Sequence, residues 1–285
     1  MSRAAALGPT KVFAVAQERL WRSTPEGWRE LPIGGASVRD VTAAQSSLWV
    51  LARGQGPNLG RVVVLRAPGG GDDLSVTMDF LTPEDHDPRA IAVVTDHEFY
   101  IGGANPPLIR ARVWAAAQMM TYTQAHAIDT LTYMPDALMA IRYEGDGGVA
   151  AFRWGETMPV ERPGYLMSFS GARESLMAAR DGSVWRGPLW ELPLPTDRLS
   201  SASGVTPIAA ATLRDERVVE VDASGHTRLH HDGRWIDVEG PEGPADVVAL
   251  LAARVLAEGT CVRIDRDGSV YDLVDTRWVR TVAPP

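Results

Sequence analysis

Residues Cys261–Val282 read CVRIDRDGSVYDLVDTRWVRTV: an apolar run, an Asp267-Gly268 turn, a second run reaching Tyr271, another polar break, and a tryptophan at 278. Apolar runs this short, separated by Asp-Gly and polar pairs, are the signature of β-strands joined by tight turns. The same arrangement recurs upstream as Val218–Glu239 (VVEVDASGHTRLHHDGRWIDVE), Ser175–Pro193 (SLMAARDGSVWRGPLWELP) and Val12–Pro32 (VFAVAQERLWRSTPEGWRELP). Aligning the four units superposes Trp21, Trp185, Arg228 and Tyr271 at one position and Trp28, Trp190, Trp235 and Trp278 at a second. That spacing fits two adjacent antiparallel strands joined by a hairpin. A large aromatic recurring once per unit is expected to fill the space between neighbouring sheets.

A second recurrence precedes the first. A polar pair separates two apolar runs at Ser46-Ser47, His97-Glu98, Asp136-Ala137, Glu174-Ser175 and Glu216-Arg217, with starts 51, 39, 38 and 42 residues apart. The run before each pair, such as Ile91–Val94 or Ile208–Thr212, is short and rich in small apolar residues, as a strand lining a narrow central channel requires. A unit of about 40 residues lies in the range of propeller blades. The sequence therefore predicts an all-β chain folded as a single β-propeller over residues 1–285, with seven blades of four antiparallel strands. The blades fall at residues 1–36, 37–86, 87–126, 127–164, 165–205, 206–244 and 245–285. Only Ser2–Leu7 remains for the inner strand of the first blade, so six blades plus an irregular cap is the alternative, and ring closure involves both termini. No segment sustains a 3.6-residue period for three turns, and 27 glycines and 20 prolines punctuate the chain. Val247–Ala257 is the one stretch that reads equally as a helix.

Asp181-Gly182-Ser183-Val184-Trp185 with Trp190, and Asp267-Gly268-Ser269-Val270-Tyr271 with Trp278, resemble the repeat of the tectonin-like propellers. In that group a strand, an Asp-Gly turn, a Val-Trp or Val-Tyr strand and a following Trp recur in each blade. The likeness covers about half of the chain, since blades two to four lack the signature. It implies a propeller fold and, because members of that group bind microbial surface sugars, a carbohydrate partner. WD40 propellers are the alternative relatives, although no Gly-His or Trp-Asp pair marks these blades.

Composition narrows the function. With 45% hydrophobic residues in 285, the chain buries a substantial core. A net charge of -8 and a single lysine, Lys11, leave no basic stripe for nucleic acid. Val247–Ala253 is the longest apolar stretch, far below the roughly 20 residues of a membrane-spanning helix. Met1–Thr10 lacks the apolar core of a secretory signal, and Cys261 is the only cysteine, so the expectation is a cytoplasmic protein without disulfides.

Catalytic and metal motifs give little. Lys11 is followed by Val12, so there is no P-loop, and no Gly-x-Ser-x-Gly elbow occurs. A sialidase Asp box places a residue between its Asp and Gly, whereas here the pairs are contiguous. His226, His230 and His231 invite zinc, but in a strand the first two lie about 13 Å apart and the last two point to opposite faces. Asp265, Asp267 and Asp272 resemble a calcium loop without its downstream Glu and with Arg266 inside, so they read as a hairpin turn. Glu144 and Asp146 read as loop carboxylates. Cys261, between apolar neighbours, reads as a buried structural thiol. No cofactor is implied.

Recognition in propellers sits on connecting loops. Three are long and rich in Gly and Pro: Arg53–Gly60, Ala67–Leu74 and Gly102–Leu108. They carry the candidate binding residues Arg53, Asn58, Asp72, Asp73 and Asn105. If two of these loops share a rim, they form a polar surface beside the channel. The leading reading is a non-catalytic protein-binding scaffold or recognition subunit of a cytoplasmic, multi-protein bacterial system, whose partner is another protein. A lectin with an exposed tryptophan floor in each blade, and hence a glycan partner, is the second. An enzyme with converging ionisable groups of perturbed pKa at the channel mouth is the third.

Overall fold

A computed structural model describes residues 3–8, 10–55, 60–83, 85–120, 127–134, 138–143, 148–153, 160–162, 165–170, 175–179, 184–187, 197–199, 207–213, 217–241, 246–252 and 261–282. These residues form seven four-stranded antiparallel sheets, each built from consecutive strands. Sheet 1 is β1 (Arg3–Gly8), β2 (Lys11–Ala16), β3 (Arg19–Thr24) and β4 (Gly27–Leu31). Sheet 2 is β5 (Ser37–Ala44), β6 (Ser47–Arg53), β7 (Arg61–Pro68) and β8 (Ser75–Leu81). Sheet 3 is β9 (Asp87–Thr95), β10 (Glu98–Ala104), β11 (Leu108–Arg112) and β12 (Ala115–Met120). Sheet 4 is β13 (Ile128–Met134), β14 (Leu138–Tyr143), β15 (Val149–Arg153) and β16 (Val160–Arg162). Sheet 5 is β17 (Tyr165–Ser170), β18 (Ser175–Ala179), β19 (Val184–Gly187) and β20 (Asp197–Arg198). Sheet 6 is β21 (Pro207–Thr212), β22 (Val218–Asp222), β23 (Thr227–His231) and β24 (Arg234–Val238). Sheet 7 is β25 (Val247–Ala252), β26 (Cys261–Asp265), β27 (Val270–Val274) and β28 (Arg277–Val282). The fold class read from the sequence is the observed one, and Val247–Ala252 is a strand.

The first strands face inward and touch around a ring. β1 packs on β5, β5 on β9 and β9 on β13; β17 meets β14 and β21; β21 meets β25; and β25 returns to β1. Among the described residues no strand is shared across the seam between sheets 1 and 7, and apolar packing joins them there. Ala6 and Val12 pack with Val262, Ile264, Val270 and Val282, joined by half-buried Trp28. Turn chemistry supports the hairpins. Asp232 and Gly233 both take positive φ (48° and 73°), the left-handed pair that matches strand twist in a two-residue hairpin. Asp267 accepts hydrogen bonds from the Ser269 amide and hydroxyl at 2.8 and 3.0 Å, closing the β26–β27 turn.

The recurring tryptophans occupy equivalent strands. Trp21, Trp185, Arg228 and Tyr271 lie on the third strand of their sheets, and Trp28, Trp235 and Trp278 on the fourth, while Trp190 lies outside the described residues. Each of the three described fourth-strand indoles donates its Nε1–H backward to the preceding sheet or its exit. Trp28 bonds Gly268 O (2.8 Å), Trp278 bonds Thr227 Oγ1 (3.1 Å), and Trp235 bonds Leu199 O. Trp278 is 6% exposed among Ala211, Val219, Leu229 and Val238 of sheet 6, and Trp28 and Trp235 are half-buried. These rings are wedges between sheets, as a once-per-blade aromatic requires. A Cβ on Gly240 would stand 2.9 Å from Trp278 Cδ1, so the chain leaving sheet 6 needs glycine to pass the ring.

Trp278→Ala is expected to lower unfolding stability by about 3–5 kcal/mol, and Trp278→Phe, which keeps a ring but loses the bond to Thr227, by about 1–3 kcal/mol. Urea denaturation of the two variants checks this. A change near zero for Trp278→Ala would remove the wedge assignment.

Candidate functional site at the channel mouth

Strand direction alternates within each sheet, so turns alternate between two rims. One rim carries the turns between first and second and between third and fourth strands. The other, here the link rim, carries the turns between second and third strands and the connections from sheet to sheet. Arg53 ends β6 and Asn105 lies between β10 and β11, so both stand on the link rim of adjacent sheets. Asp72 and Asp73 follow β7 and stand on the opposite rim, where Asp72 pairs with Arg22 and Arg29 of sheet 1, which lower its pKa. Asn58 lies outside the described residues. The five candidates therefore do not form one surface: the structure brings Arg53 and Asn105 to one rim and leaves Asp72 and Asp73 on the other.

The link rim gathers further charge that loop length did not reveal. Asp87, at the start of β9, receives Arg89 Nε on one carboxylate oxygen at 2.9 Å and has Arg53 3.7 Å from the other. Beside it His86 is fully buried, its Nδ1 2.8 Å from Ala104 O, and burial lowers its pKa and keeps it neutral. With Nδ1–H donating to that carbonyl, Nε2 is a buried acceptor without a hydrogen-bond partner. The approach is close because the last residue but one of β10 is glycine: a Cβ on Gly103 would stand 2.0 Å from Asp87 O. Between sheets 1 and 2, Glu18 sits in a left-handed turn (φ 60°), accepts Arg39 NH1 at 2.9 Å and Ser37 Oγ, and offers its carbonyl to Val38 N at 2.8 Å.

Deeper in the mouth, Arg3 of sheet 1 reaches sheet 4, donating to Asp129 Oδ1 at 2.8 Å and Asp129 O at 2.9 Å. Asp40 of sheet 2 is buried and accepts the Ile91 amide of sheet 3 at 2.9 Å. An innermost strand has no neighbour toward the channel, so its amides need such caps. Burial pushes the Asp40 carboxyl up to about 6, with Asp129 adding to the rise, against the lowering pull of Arg3 and the Ile91 and Val41 amides.

The mouth owes its polarity to a repeated irregularity. Near their starts, the first strands of sheets 2 to 7 each carry an extra residue against their second strands, at Arg39, Arg89, Asp129, Leu166, Ile208 and Val248, and β9 carries a second at Val94. Bulges re-aim side chains at sheet edges. Here the bulged residues are charged in sheets 2 to 4 and apolar in sheets 5 to 7; Arg39, Arg89, Asp129, Ile208 and Val248 are half-exposed. At this level the bulged residues are thus charged in three adjacent sheets, 2 to 4, and apolar at Ile208 and Val248 of sheets 6 and 7.

Of the other sequence candidates, His226, Asp265 and Asp267 also stand on the link rim, after the second strands of sheets 6 and 7, and each is engaged locally. His226 meets Asp237 at 3.0 Å, His230 packs edge-on against Trp235 with centroids 5.1 Å apart, and His231 faces Asp232, so the three imidazoles have separate partners. Asp265 holds Arg263 through both oxygens (2.7 and 3.0 Å), and Asp267 closes its own turn. Cys261 is buried, and burial raises its thiol pKa well above the ordinary value. Glu144 and Asp146 fall outside the described residues. Among the described residues, no group of three or more His, Cys, Asp or Glu is placed to hold a metal ion.

The fold agrees with solved structures. YCF48 bound to D1 peptide superposes with a TM-score of 0.68 at 13% identity, covering 99% of this chain and 93% of that one. This chain is a β-propeller in fold. YCF48 from Cyanidioschyzon merolae follows with a TM-score of 0.66 at 13% identity over 94% of this chain and 93% of that one. The WD40 propeller domain of Doa1 gives 0.60 at 14% identity over 89% and 85%. No protein-family model and no curated protein sequence matches the chain. At such identities the likeness speaks for architecture alone.

A carboxyl whose folded pKa lies above its unfolded value binds more protons when folded, so stability is full at low pH and falls as pH rises. For Asp40 the window runs from the ordinary 3.8 to about 6. Asp40→Asn, which keeps an acceptor for Ile91 N, is expected to stabilise the fold by about 2–3 kcal/mol near pH 7.5 and by close to nothing near pH 4. Urea midpoints at the two pH values test it, and equal differences at both would refute the burial of a charge at this position.

Proposed function

We propose that the propeller is a non-catalytic protein-binding scaffold, a recognition subunit of a cytoplasmic, multi-protein bacterial system, which receives a segment of its partner on the link rim across the channel mouth. The observation that carries this reading is the set of bulged residues at the strand starts, charged at Arg39, Arg89 and Asp129 and apolar at Ile208 and Val248. Such a mouth fits a segment with one polar and one apolar side, whose charged groups compete for Arg53, Arg89 and Asp87. A propeller of the same architecture has been solved with a peptide bound, which supports a peptide as the kind of ligand this fold accommodates. Charge supports binding rather than chemistry: Asp40 caps a backbone amide, Asp129 holds Arg3, and Asp87 holds Arg89.

The lectin alternative requires exposed tryptophans at equivalent positions of the blades. Trp278 is buried, and half-buried Trp28 and Trp235 spend their N–H groups on neighbouring sheets, so these three rings supply no sugar platform.

Purification of the chain from its native cells is expected to recover a stoichiometric protein partner. Arg53→Glu with Arg89→Glu is expected to reduce that recovery at least about tenfold, while Asp72→Asn with Asp73→Asn leaves it unchanged. Melting curves confirm that each variant folds. Recovery indifferent to the arginine changes would remove the link rim as the binding surface, and a glycan-array signal without any protein partner would favour the lectin.

A further inference from the structure

We propose that the outer edge of sheet 2, strand β8, is a second docking site, at which an extended and largely apolar segment of a partner protein adds as a fifth strand. The outermost strand of a sheet exposes a row of unpaired backbone groups unless something lies beside it, and folded proteins blunt such edges with charge, brevity or a covering segment. β4 carries Arg29 and Glu30, β24 Arg234 and Asp237, and β28 Arg277 and Arg280, while β16 and β20 are 3 and 2 residues long. β12, AAAQMM, is uncharged but opens with three alanines, which offer an added strand little apolar surface. β8, SVTMDFL, is 7 residues long and its one charge, Asp79, is held by Arg61 of β7. Two of its four apolar residues are bare, Val76 at 59% and Leu81 at 81% exposed, while Met78 is buried and Phe80 packs beside it against the core.

The backbone is presented in register. Thr82 N donates to Gly60 O at 2.7 Å and Gly54 N to Arg61 O at 2.8 Å. The pairing of β7 with β8 sets Arg61 opposite Leu81 and Val63 opposite Asp79. Because hydrogen-bonded and non-bonded pairs alternate in an antiparallel ladder, Leu81 and Asp79 turn their N–H and C=O away from β7, toward the open side.

The occupant follows from what covers such an edge elsewhere in this molecule. On the outer edge of sheet 7, Glu239 lies as an extended residue beside β28, its N–H donating to Thr276 O at 2.9 Å and its carbonyl accepting Trp278 N at 2.8 Å. An extended backbone is thus the partner an outer strand of this propeller takes. With Leu81 and Val76 flanking the open amides, the segment added to β8 carries apolar residues at alternate positions.

Selection of a displayed library of random peptides, roughly twelve residues long, on the immobilised full chain tests this. The expected result is enrichment of sequences with alternating apolar residues. The synthetic winner should bind at least about tenfold more weakly to Leu81→Asp and to Val76→Asp, and should slow amide hydrogen exchange at Asp79 and Leu81. Both positions are exposed, so the variants should melt like the wild type, and Arg53→Glu, on the link rim, should leave peptide binding unchanged. Peptides indifferent to the β8 variants would overturn the proposal. So would enrichment of nothing, or a wild-type dimer that Leu81→Asp converts to monomer, since the occupant would then be a second copy of the chain.

Discussion

Each sheet of this propeller depends on the faces of its two neighbours. A four-stranded sheet of about twenty residues buries little by itself, so the apolar surface of one is covered only when the next lies against it. At the seam this dependence is bare, because among the described residues no strand crosses from sheet 7 to sheet 1. What holds the ring shut there is the packing of Ala6 and Val12 on Val262, Ile264, Val270 and Val282, with Trp28 reaching over to the carbonyl of Gly268. The indoles of the fourth strands solve the geometric part of the problem. Radial sheets diverge outward, and a ring the size of tryptophan fills the widening gap while its N–H registers one sheet against the last.

The same radial arrangement generates the polar site. Where sheets diverge outward they crowd inward, and the innermost strands face a channel with amides that no further strand can pair. Asp40 meets one of these amides, and Arg3 ties Asp129 across from sheet 1 to sheet 4. Bulges at one level in six sheets set the side chains that ring the mouth. The charged bulges lie in sheets 2 to 4, beside Arg53 and Asp87. A structural need, capping of inner strands, and a candidate recognition surface therefore occupy the same few residues.

Much of the architecture was legible before any coordinates. Trp28, Trp235 and Trp278 align because they perform one task, and Asp232-Gly233 and Asp267-Gly268 announce turns by their own conformational preferences. Arg53 and Asn105 were found through the length of their loops, as were Asp72 and Asp73, but loop length says nothing about which rim a loop occupies. Asp40, His86 and Asp129 were missed. Their one sequence signal is a polar residue interrupting a strand otherwise small and apolar, as in SVRDVTAA and IDTLTYM. The open edge of β8 left a fainter trace, a strand-length run with a single charge.

By itself, the sequence determined the strands, their turns, the repeat that counts the blades and the aromatic that separates them. These are set by period-two alternation, turn propensity and ring size, all of which act over a few residues. The tertiary structure alone decided which side chains meet. Arg3 and Asp129 are 126 positions apart and Trp28 and Gly268 are 240 apart. Their pairing comes from the closing of the ring, which brings the first strand beside the last and turns residues from distant sheets toward one channel.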